Sequence, residues 1–325
     1  MTRAPVFVGG LDRTGTSLMY ALLASHPDMA MSRRTNWWTY FYGRFGVLAD
    51  DRNLDRCLAT MARYRRHRKL EPDFERLRAD FVAGKRSYGR LFALLKEQHA
   101  ERLGRPRWGD KSLHTERYAD IVYSEFPDAR ILHMVRDPRD RYASVIKRWK
   151  RVRGGVGAGT AAWLSSVRLA ERNLRAHGER YRIVRYEELV SEPEAMVRDL
   201  CGFLELPFVP AMLRLEGDAV FGESMNSSYG AIPKGTITAA SVGRYRGVMR
   251  PHEIAFMQWR AGREMERHGY APDDVELDGG AGRLHYLTRA AVHSGMMVGW
   301  QARERIYDLV GRDPSAHTLV NQELQ

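Results

Sequence analysis

The stretch Val6–Met19, VFVGGLDRTGTSLM, decides the expected fold. It opens with a short apolar run that ends in glycines, which is typical of a buried strand in a parallel sheet. It closes with the start of an apolar helical segment that reaches Ser25. The turn between them, Gly10–Ser17, lets backbone N–H groups converge on one anion, and the helix N-terminus adds partial positive charge. The stretch therefore predicts an anion site between a strand and a helix.

This turn differs from the nucleoside-triphosphate loop G-x-x-x-x-G-K-[ST] at one position. Gly10, Gly15 and Ser17 are in register with that pattern, but Thr16 occupies the lysine position. The cation that would contact the β- and γ-phosphates is therefore missing there. Arg13 supplies a cation three residues earlier. The turn predicts a different anion, and a plain strand-to-helix turn is the alternative.

A second candidate anion site follows the apolar run Arg130–Val135, after which the chain reads RDPRDRYAS. Arg136 leaves the carboxyl end of this predicted strand. Ser144 lies about two turns into the following helix, from which its hydroxyl can return toward the strand end. A guanidinium and a hydroxyl together suit a terminal phosphate. The alternative is that Arg136 forms a structural ion pair.

Strand-like and helical segments alternate along most of the chain. The predicted strands are Pro5–Gly9, Arg130–Val135 and Tyr181–Arg185. Intervening helices of more than about ten residues imply right-handed crossovers and parallel strands. We therefore expect an α/β fold of the P-loop NTPase type, a three-layer parallel sheet flanked by helices. We assign residues 1–271 to this domain and residues 272–325 to a linker and a C-terminal helical tail.

Composition narrows the possible partners. The net charge of +12 indicates solvated helix surface or attraction of anionic small ligands, and no nucleic-acid-binding motif accompanies it. No apolar run of about eighteen residues exists, so we expect no integral membrane segment. Cys57 and Cys201 suggest neither a disulfide framework nor a metal site. Met1–Pro5 leaves no room for a signal peptide, and we expect a cytoplasmic protein.

These two anion sites resemble those of sulfotransferases that use 3'-phosphoadenosine-5'-phosphosulfate (PAPS), especially the tyrosylprotein and bacterial branch. In that family a Lys or Arg precedes a [ST]-G-[TG]-[TS] turn after the first strand, which corresponds here to Arg13–Ser17. The resemblance implies that Arg13 faces the bridging oxygen and the sulfuryl group. It also implies that Arg136 and Ser144 hold the 3'-phosphate. The residues expected around the 5'-phosphate are Thr14, Gly15, Thr16, Ser17 and Leu18.

Two further stretches resemble the family. Arg185–Val190, RYEELV, matches a strand-to-helix element in which the tyrosine, here Tyr186, lies near the adenine. Ser241–Arg246, SVGRYR, matches the segment that closes over the donor, so Arg244 is a candidate phosphate contact. Tyr186 could equally belong to the core and Arg244 to the surface. The resemblance implies sulfuryl transfer to a hydroxyl or amine, with no metal and with release of adenosine 3',5'-bisphosphate.

The resemblance also suggests catalytic residues and exposes one gap. Lys111 matches a lysine that assists the leaving group, and Ser228, or its neighbour Ser227, matches a serine on the opposite side. The family's glutamate base is missing, because no carboxylate occurs between Asp28 and Asp50. A substitute must be a His or carboxylate within reach of the acceptor. In order of preference, the candidates are Asp110, His114 and Asp12.

The acceptor is not identified by these motifs. Five aromatic residues follow the donor loop and either wall an acceptor pocket or pack in the core; they are Trp37, Trp38, Tyr40, Phe41 and Tyr42. The glycine-rich run Gly154–Gly159 predicts a mobile loop. We expect a small-molecule, glycan or lipid acceptor, and possible homo-oligomers through the helix of about Arg283–Val310. The alternatives are a non-catalytic nucleotide-binding protein of the same fold and a kinase-like P-loop enzyme.

Overall fold

A computed structural model of the chain describes residues 4–149, 154–215, 236–276 and 279–310. Within these ranges five parallel strands form one sheet in the order β2-β3-β1-β4-β5. Helices cover both of its faces. The strands are β1 (Val6–Gly10), β2 (Met29–Arg33), β3 (Arg107–Lys111), β4 (Arg130–Val135) and β5 (Tyr181–Arg185). The predicted α/β fold is confirmed, and each of the three predicted strands lies within one residue of its expected place.

The helices follow the expected alternation. The region between β2 and β3 is helical, with breaks close to the Glu71-Pro72 and Gly84 positions. The helices are α1 (Thr16–Ala24), α2 (Asp51–Arg63), α3 (Arg65–Arg68), α4 (Phe74–Val82), α5 (Tyr88–Arg102), α6 (Ala119–Glu125), α7 (Pro138–Arg148), α8 (Gly155–His177), α9 (Tyr186–Ser191), α10 (Pro193–Leu204), α11 (Pro251–Arg267) and α12 (Gly279–Val310). Among the described helices, none is long and apolar enough to cross a membrane.

The central strand β1 places alternate side chains on opposite faces of the sheet. Phe7 packs into an aromatic cluster, whereas Val6 and Val8 pack against α1 and α10. The aromatic cluster includes Trp37, which is fully buried and stacks on Phe92 with ring centroids 5.1 Å apart. Trp38 and Phe41 are buried there too, and Tyr40 and Tyr42 pack against its edge. The aromatic run therefore forms core, which settles that choice against an acceptor pocket.

Strands β2 and β3 were not predicted, because polar side chains interrupt their apolar pattern. Ser32, Arg107 and Asp110 are all buried, although their types favour the surface. Arg107 is accommodated because its guanidinium donates to the carbonyls of Ala4 and Leu204. Such partners come from distant parts of the chain, so no local pattern reveals the strands.

The prediction of a mobile loop at Gly154–Gly159 is wrong, because α8 begins at Gly155. A Cβ atom on Gly157 would collide with the His293 carbonyl of α12. A Cβ atom on Gly159 would lie 2.8 Å from Cδ2 of Tyr142. These glycines therefore allow close helix packing rather than motion. The long tail helix α12 packs along α8 and begins four residues earlier than about Arg283, where we expected it.

Candidate active site

The two predicted anion sites lie at the same edge of the sheet. Strand β1 is central, and the chain continues to β2 on one side, while β4 and β5 lie on the other. A crevice forms outside the carboxyl ends of parallel strands where the winding direction reverses. The turn after β1 and the residues after β4 meet there, because Gly10 is in register with Met134.

The donor loop keeps the start of α1 open. Gly15 precedes the helix with a φ of 95°, a conformation that favours glycine. A Cβ atom at Gly15 would also lie 2.5 Å from Cδ2 of Tyr186. No side chain of the described residues caps α1, so its first N–H groups can donate to an anion. The Thr14 hydroxyl instead donates to the Leu11 carbonyl at 2.7 Å and fixes the turn.

The arginines and serine of the two sites are in direct contact. Arg13 donates from Nε to Oγ of Ser144 at 2.9 Å. Arg136 donates from Nη1 to the Arg13 carbonyl at 3.2 Å and from Nη2 to the Ser241 carbonyl at 2.7 Å. The Arg136 guanidinium also lies over the Tyr186 ring, 4.5 Å from its centroid. The structure thus brings together Arg13, Ser144, Arg136 and Tyr186.

The segment around Ser241–Arg246 is held against α7. Both oxygens of the buried Asp140 carboxylate accept backbone N–H groups, from Gly243 at 2.6 Å and from Tyr245 at 2.9 Å. This explains how a carbonyl from late in the chain reaches Arg136. Arg244 lies in this segment, but its side chain is exposed and donates to the Ala240 carbonyl. Its predicted phosphate contact stays a prediction.

Lys111 ends β3 and is 5% exposed. Burial, together with the guanidiniums of Arg34 and Arg33, lowers the pKa of Lys111 to about 8. A buried ammonium group among like charges is stabilised when an anion binds beside it. Lys111 therefore has the electrostatic setting expected of a residue that meets a negatively charged donor.

The first and third candidates for the general base are already engaged. Asp110 is fully buried and accepts three hydroxyl hydrogen bonds, from Ser32 at 2.6 Å, Thr35 at 3.0 Å and Ser112 at 2.7 Å. Asp12 accepts from Arg141 at 2.5 Å. Asp110 is thus enclosed by hydroxyls, and Asp12, whose side chain is 29% exposed, is paired with Arg141, so we take His114 as the candidate base.

His114 is 34% exposed and lies beside a buried glutamate, Glu116. Its Nδ1 is 3.8 Å from Oε1 of Glu116, an electrostatic contact rather than a hydrogen bond. The other oxygen of Glu116 accepts the Gly10 N–H at 2.9 Å. Burial lowers the pKa of His114, but Glu116 and Asp12 outweigh it and raise the pKa. One carboxylate thus connects the candidate base to the donor loop.

Glu116 was missed by sequence reasoning. A glutamate two residues after a histidine carries no distinguishing signal, and its 1% exposure is set by the tertiary fold. Burial raises the pKa of Glu116, but the nearby rings of His114 and His133 outweigh burial and lower this pKa to about 2. The carboxylate is therefore charged at neutral pH.

Ser228 and Ser227, the remaining predicted site residues, lie outside the described residues. Thr16 is buried at the start of α1, with Ser17 and Leu18 beside it in the same first turn. Across the ranges that the structure describes, no group of three or more His, Cys, Asp or Glu side chains is arranged to hold a metal ion.

The sheet order, and the loop after β1 with Thr16 at the lysine position of nucleoside-triphosphate enzymes, define an α/β protein with a candidate anion site. A comparison with protein families matches residues 5–210, more than half of the chain, to the sulfotransferase family. The chain therefore belongs to the sulfotransferase family.

Individual relatives agree with this assignment. The chain is 27% identical over 219 residues to protein-tyrosine sulfotransferase A of Caenorhabditis elegans, a match covering 65% of this chain and 52% of the relative. It is 27% identical over 220 residues to the protein-tyrosine sulfotransferase of Drosophila melanogaster, covering 65% of this chain and 40% of the relative. The match thus spans about half the length of these curated relatives.

Solved structures share the fold. The sulfotransferase domain from the curacin biosynthetic pathway aligns with 83% of this chain and 99% of its own, with a TM-score of 0.56 and 17% identity. The sulfotransferase domain of the Synechococcus PCC 7002 olefin synthase aligns with 83% of this chain and 96% of its own, with a TM-score of 0.52 and 23% identity. At these identities the likeness concerns the fold.

Proposed function

We propose that this protein transfers the sulfuryl group of PAPS to an acceptor hydroxyl or amine and releases adenosine 3',5'-bisphosphate. The observation that carries the proposal is the contact between the two anion sites, in which Arg13 donates to Ser144 and Arg136 donates to the Arg13 carbonyl. Two phosphate sites in contact suit a single ligand that carries phosphates at both ends. Membership of the sulfotransferase family supports the same ligand.

One polar atom fits this ligand in particular. Nε of Arg136 is buried, and no hydrogen-bond partner for it exists among the described residues. A buried donor without a partner loses about 1–3 kcal/mol, which an anionic oxygen would restore. The Tyr186 ring lies against the same guanidinium, so a purine stacked on this tyrosine would lie next to Arg136. The residues present therefore fit a phosphate group next to a purine.

The donor end would be stabilised by cations. Transfer forms a bond between the acceptor atom and sulfur and breaks the bond between sulfur and the bridging oxygen, which keeps the electron pair. Arg13, Lys111 and the N–H groups at the start of α1 would stabilise that developing charge. Arg33 and Arg34 act on Lys111 and add to the positive field.

The acceptor proton would pass to His114. This ring is partly exposed, and Glu116 and Asp12 stabilise its protonated form. A histidine whose protonated form is stabilised by its neighbours can act as a general base. Glu116 then acts as a positioning residue, since it holds the Gly10 N–H of the donor loop and faces the ring.

Several finer points belong to the proposal. The names of the two relatives point to a tyrosine phenol as one acceptor class, beside the small molecules, glycans and lipids that we expected from the sequence. Phosphate contacts from Arg244 and a catalytic role for Ser228 are kept as predictions. The division at residue 271, the cytoplasmic location and oligomers through α12 also stay predictions.

The test is transfer of sulfate from radiolabelled PAPS to a panel of phenols, tyrosine peptides, sugars and lipids. We expect a labelled product with at least one acceptor and a loss of about a hundredfold or more in Arg13→Ala. Arg78→Ala is the matched control, because Arg78 is exposed on α4 and pairs with Asp55. Nucleotide binding without transfer would favour the non-catalytic alternative, and magnesium-dependent ATP turnover would favour the kinase.

A further inference from the structure

A cavity is lined by residues of α8, of α12 and of the turn after β3. Its volume is about 540 Å³, within the range of small-molecule sites of about 300–1,000 Å³. None of the residues proposed to hold the donor lines it. Its apolar lining comes chiefly from Leu164 and Leu169 of α8 and from the Trp300 indole of α12.

The charged lining is strongly one-sided. Four arginines face this cavity, together with a single carboxylate, Glu304; the arginines are Arg117, Arg168, Arg172 and Arg305. The lining therefore carries a net charge of +3, from four positive groups and one negative group. Guanidinium groups form paired hydrogen bonds with carboxylates, sulfates and phosphates. A lining that combines arginines with apolar side chains matches a ligand with an anionic head and an apolar body.

Glu304 is a carboxylate that already pairs with one of the arginines lining the cavity. Its side chain is 13% exposed and pairs with Arg117. Two of the other arginines have partners outside the lining, since Arg168 pairs with Glu264 at 2.5 Å and Arg172 with Asp120 at 3.2 Å. Neither of these two partners lines the cavity, so Glu304 is the lining carboxylate that a bound anion would meet.

We propose that this cavity binds a small amphipathic anion, with its sulfate or carboxylate on the arginines and its apolar body against Leu164 and Trp300. No residue proposed to hold the donor lines this cavity, but one lining residue, Arg117, is adjacent in sequence to Glu116 of the proposed active site. Arg117 directly follows Glu116, and its N–H donates to the His114 carbonyl at 3.1 Å. A ligand on Arg117 therefore sits next to the turn that carries the candidate base.

The test uses naphthalene-2-sulfonate as the probe and naphthalene-2-methanol as its neutral analogue. Binding to the full chain is measured by isothermal titration calorimetry with adenosine 3',5'-bisphosphate in excess, which occupies the donor site. We expect one probe per chain and much weaker binding of the neutral analogue. Arg168→Gln and Arg172→Gln should each weaken probe binding about five- to tenfold, because each removes a charge-assisted hydrogen bond.

Two further variants separate charge from folding. Arg175→Gln is the matched control, because Arg175 is exposed on the same helix and does not line the cavity. Glu304→Gln should strengthen probe binding about threefold, since it removes the carboxylate that competes for the arginines. A misfolded variant cannot produce such a gain. Equal binding by Arg168→Gln, Arg172→Gln and Arg175→Gln, equal binding of the neutral analogue, or weaker binding by Glu304→Gln would overturn the proposal.

Discussion

Lys111 is the residue whose charge state we expect to limit activity at high pH. Its pKa of about 8 means that the free enzyme loses this cation as the pH rises through that value. The value of kcat/KM should therefore fall above pH 8, because it reports the free enzyme. The alkaline limb of kcat should lie higher, since a bound anion stabilises the charged amine.

Lys111→Arg is the variant that checks this assignment, because an arginine keeps its charge throughout this pH range. Whatever activity remains should lack the alkaline limb near pH 8. Should the limb stay where it is in Lys111→Arg, another group controls it.

Glu116 is expected to set the acid limb through His114. Because Glu116 raises the pKa of this ring, Glu116→Gln should lower that pKa and move the acid limb of kcat/KM to lower pH. The glutamine oxygen can still accept the Gly10 N–H, so the loop is retained. The measurement is a pH–rate profile of both proteins.

Glu171→Gln is the matched control for this profile, because Glu171 pairs with a different histidine, His268, at 3.3 Å. It should leave the acid limb in place. A uniform loss of rate in Glu116→Gln, with no movement of the limb, would mean that Glu116 acts only on the fold.

At the scale of single residues, the sequence identified charged residues more reliably than it predicted their burial and their partners. Arg13 drew attention because anion-binding turns require particular residue types, whereas Arg136 and Ser144 were chosen by their resemblance to the family's second phosphate site. The structure brings the three together, and their roles stay predictions. Asp110 was preferred as the base for its place beside Lys111, yet three hydroxyls surround it. Burial of this kind depends on contacts between distant segments, which is also why Glu116 escaped notice.

At the scale of elements, the contact between α8 and α12 depends on a glycine. Gly157→Ala places a methyl group against the His293 carbonyl and should destabilise the protein by about 1–3 kcal/mol. Gly202→Ala on α10 is the matched control, because nothing lies within 4 Å of its Cβ position. That change should be neutral or stabilise by about 0.5–1 kcal/mol. Thermal unfolding of both variants measures the difference, and similar melting temperatures would contradict the packing.

The elements also show which signals the sequence carries. Strands β1 and β4 could be predicted because their apolar runs are short and bounded by turns. The run Gly154–Gly159 was misread, since glycine serves both mobile loops and close helix contacts. The neighbours of these glycines, His293 of α12 and Tyr142 of α7, distinguish the two, and their positions are a property of the assembled fold.

At the scale of the whole molecule, cations from different strand ends lie at one edge of the sheet. Arg13, Lys111 and Arg136 come from three different strand ends and converge there. With a net charge of +12, the protein should attract anionic nucleotides, and salt should weaken that attraction. The topology produces this convergence, because the carboxyl ends of parallel strands all face one side.

The central claim is that one nucleotide with phosphates at both ends spans the joined sites. Calorimetric titration with adenosine 3',5'-bisphosphate and with adenosine 5'-monophosphate tests it most directly. We predict at least about tenfold tighter binding of the bisphosphate, and loss of that preference in Arg136→Gln and Ser144→Ala but not in the surface control Ser124→Ala. Equal affinities for the two nucleotides in the unaltered protein would contradict the account.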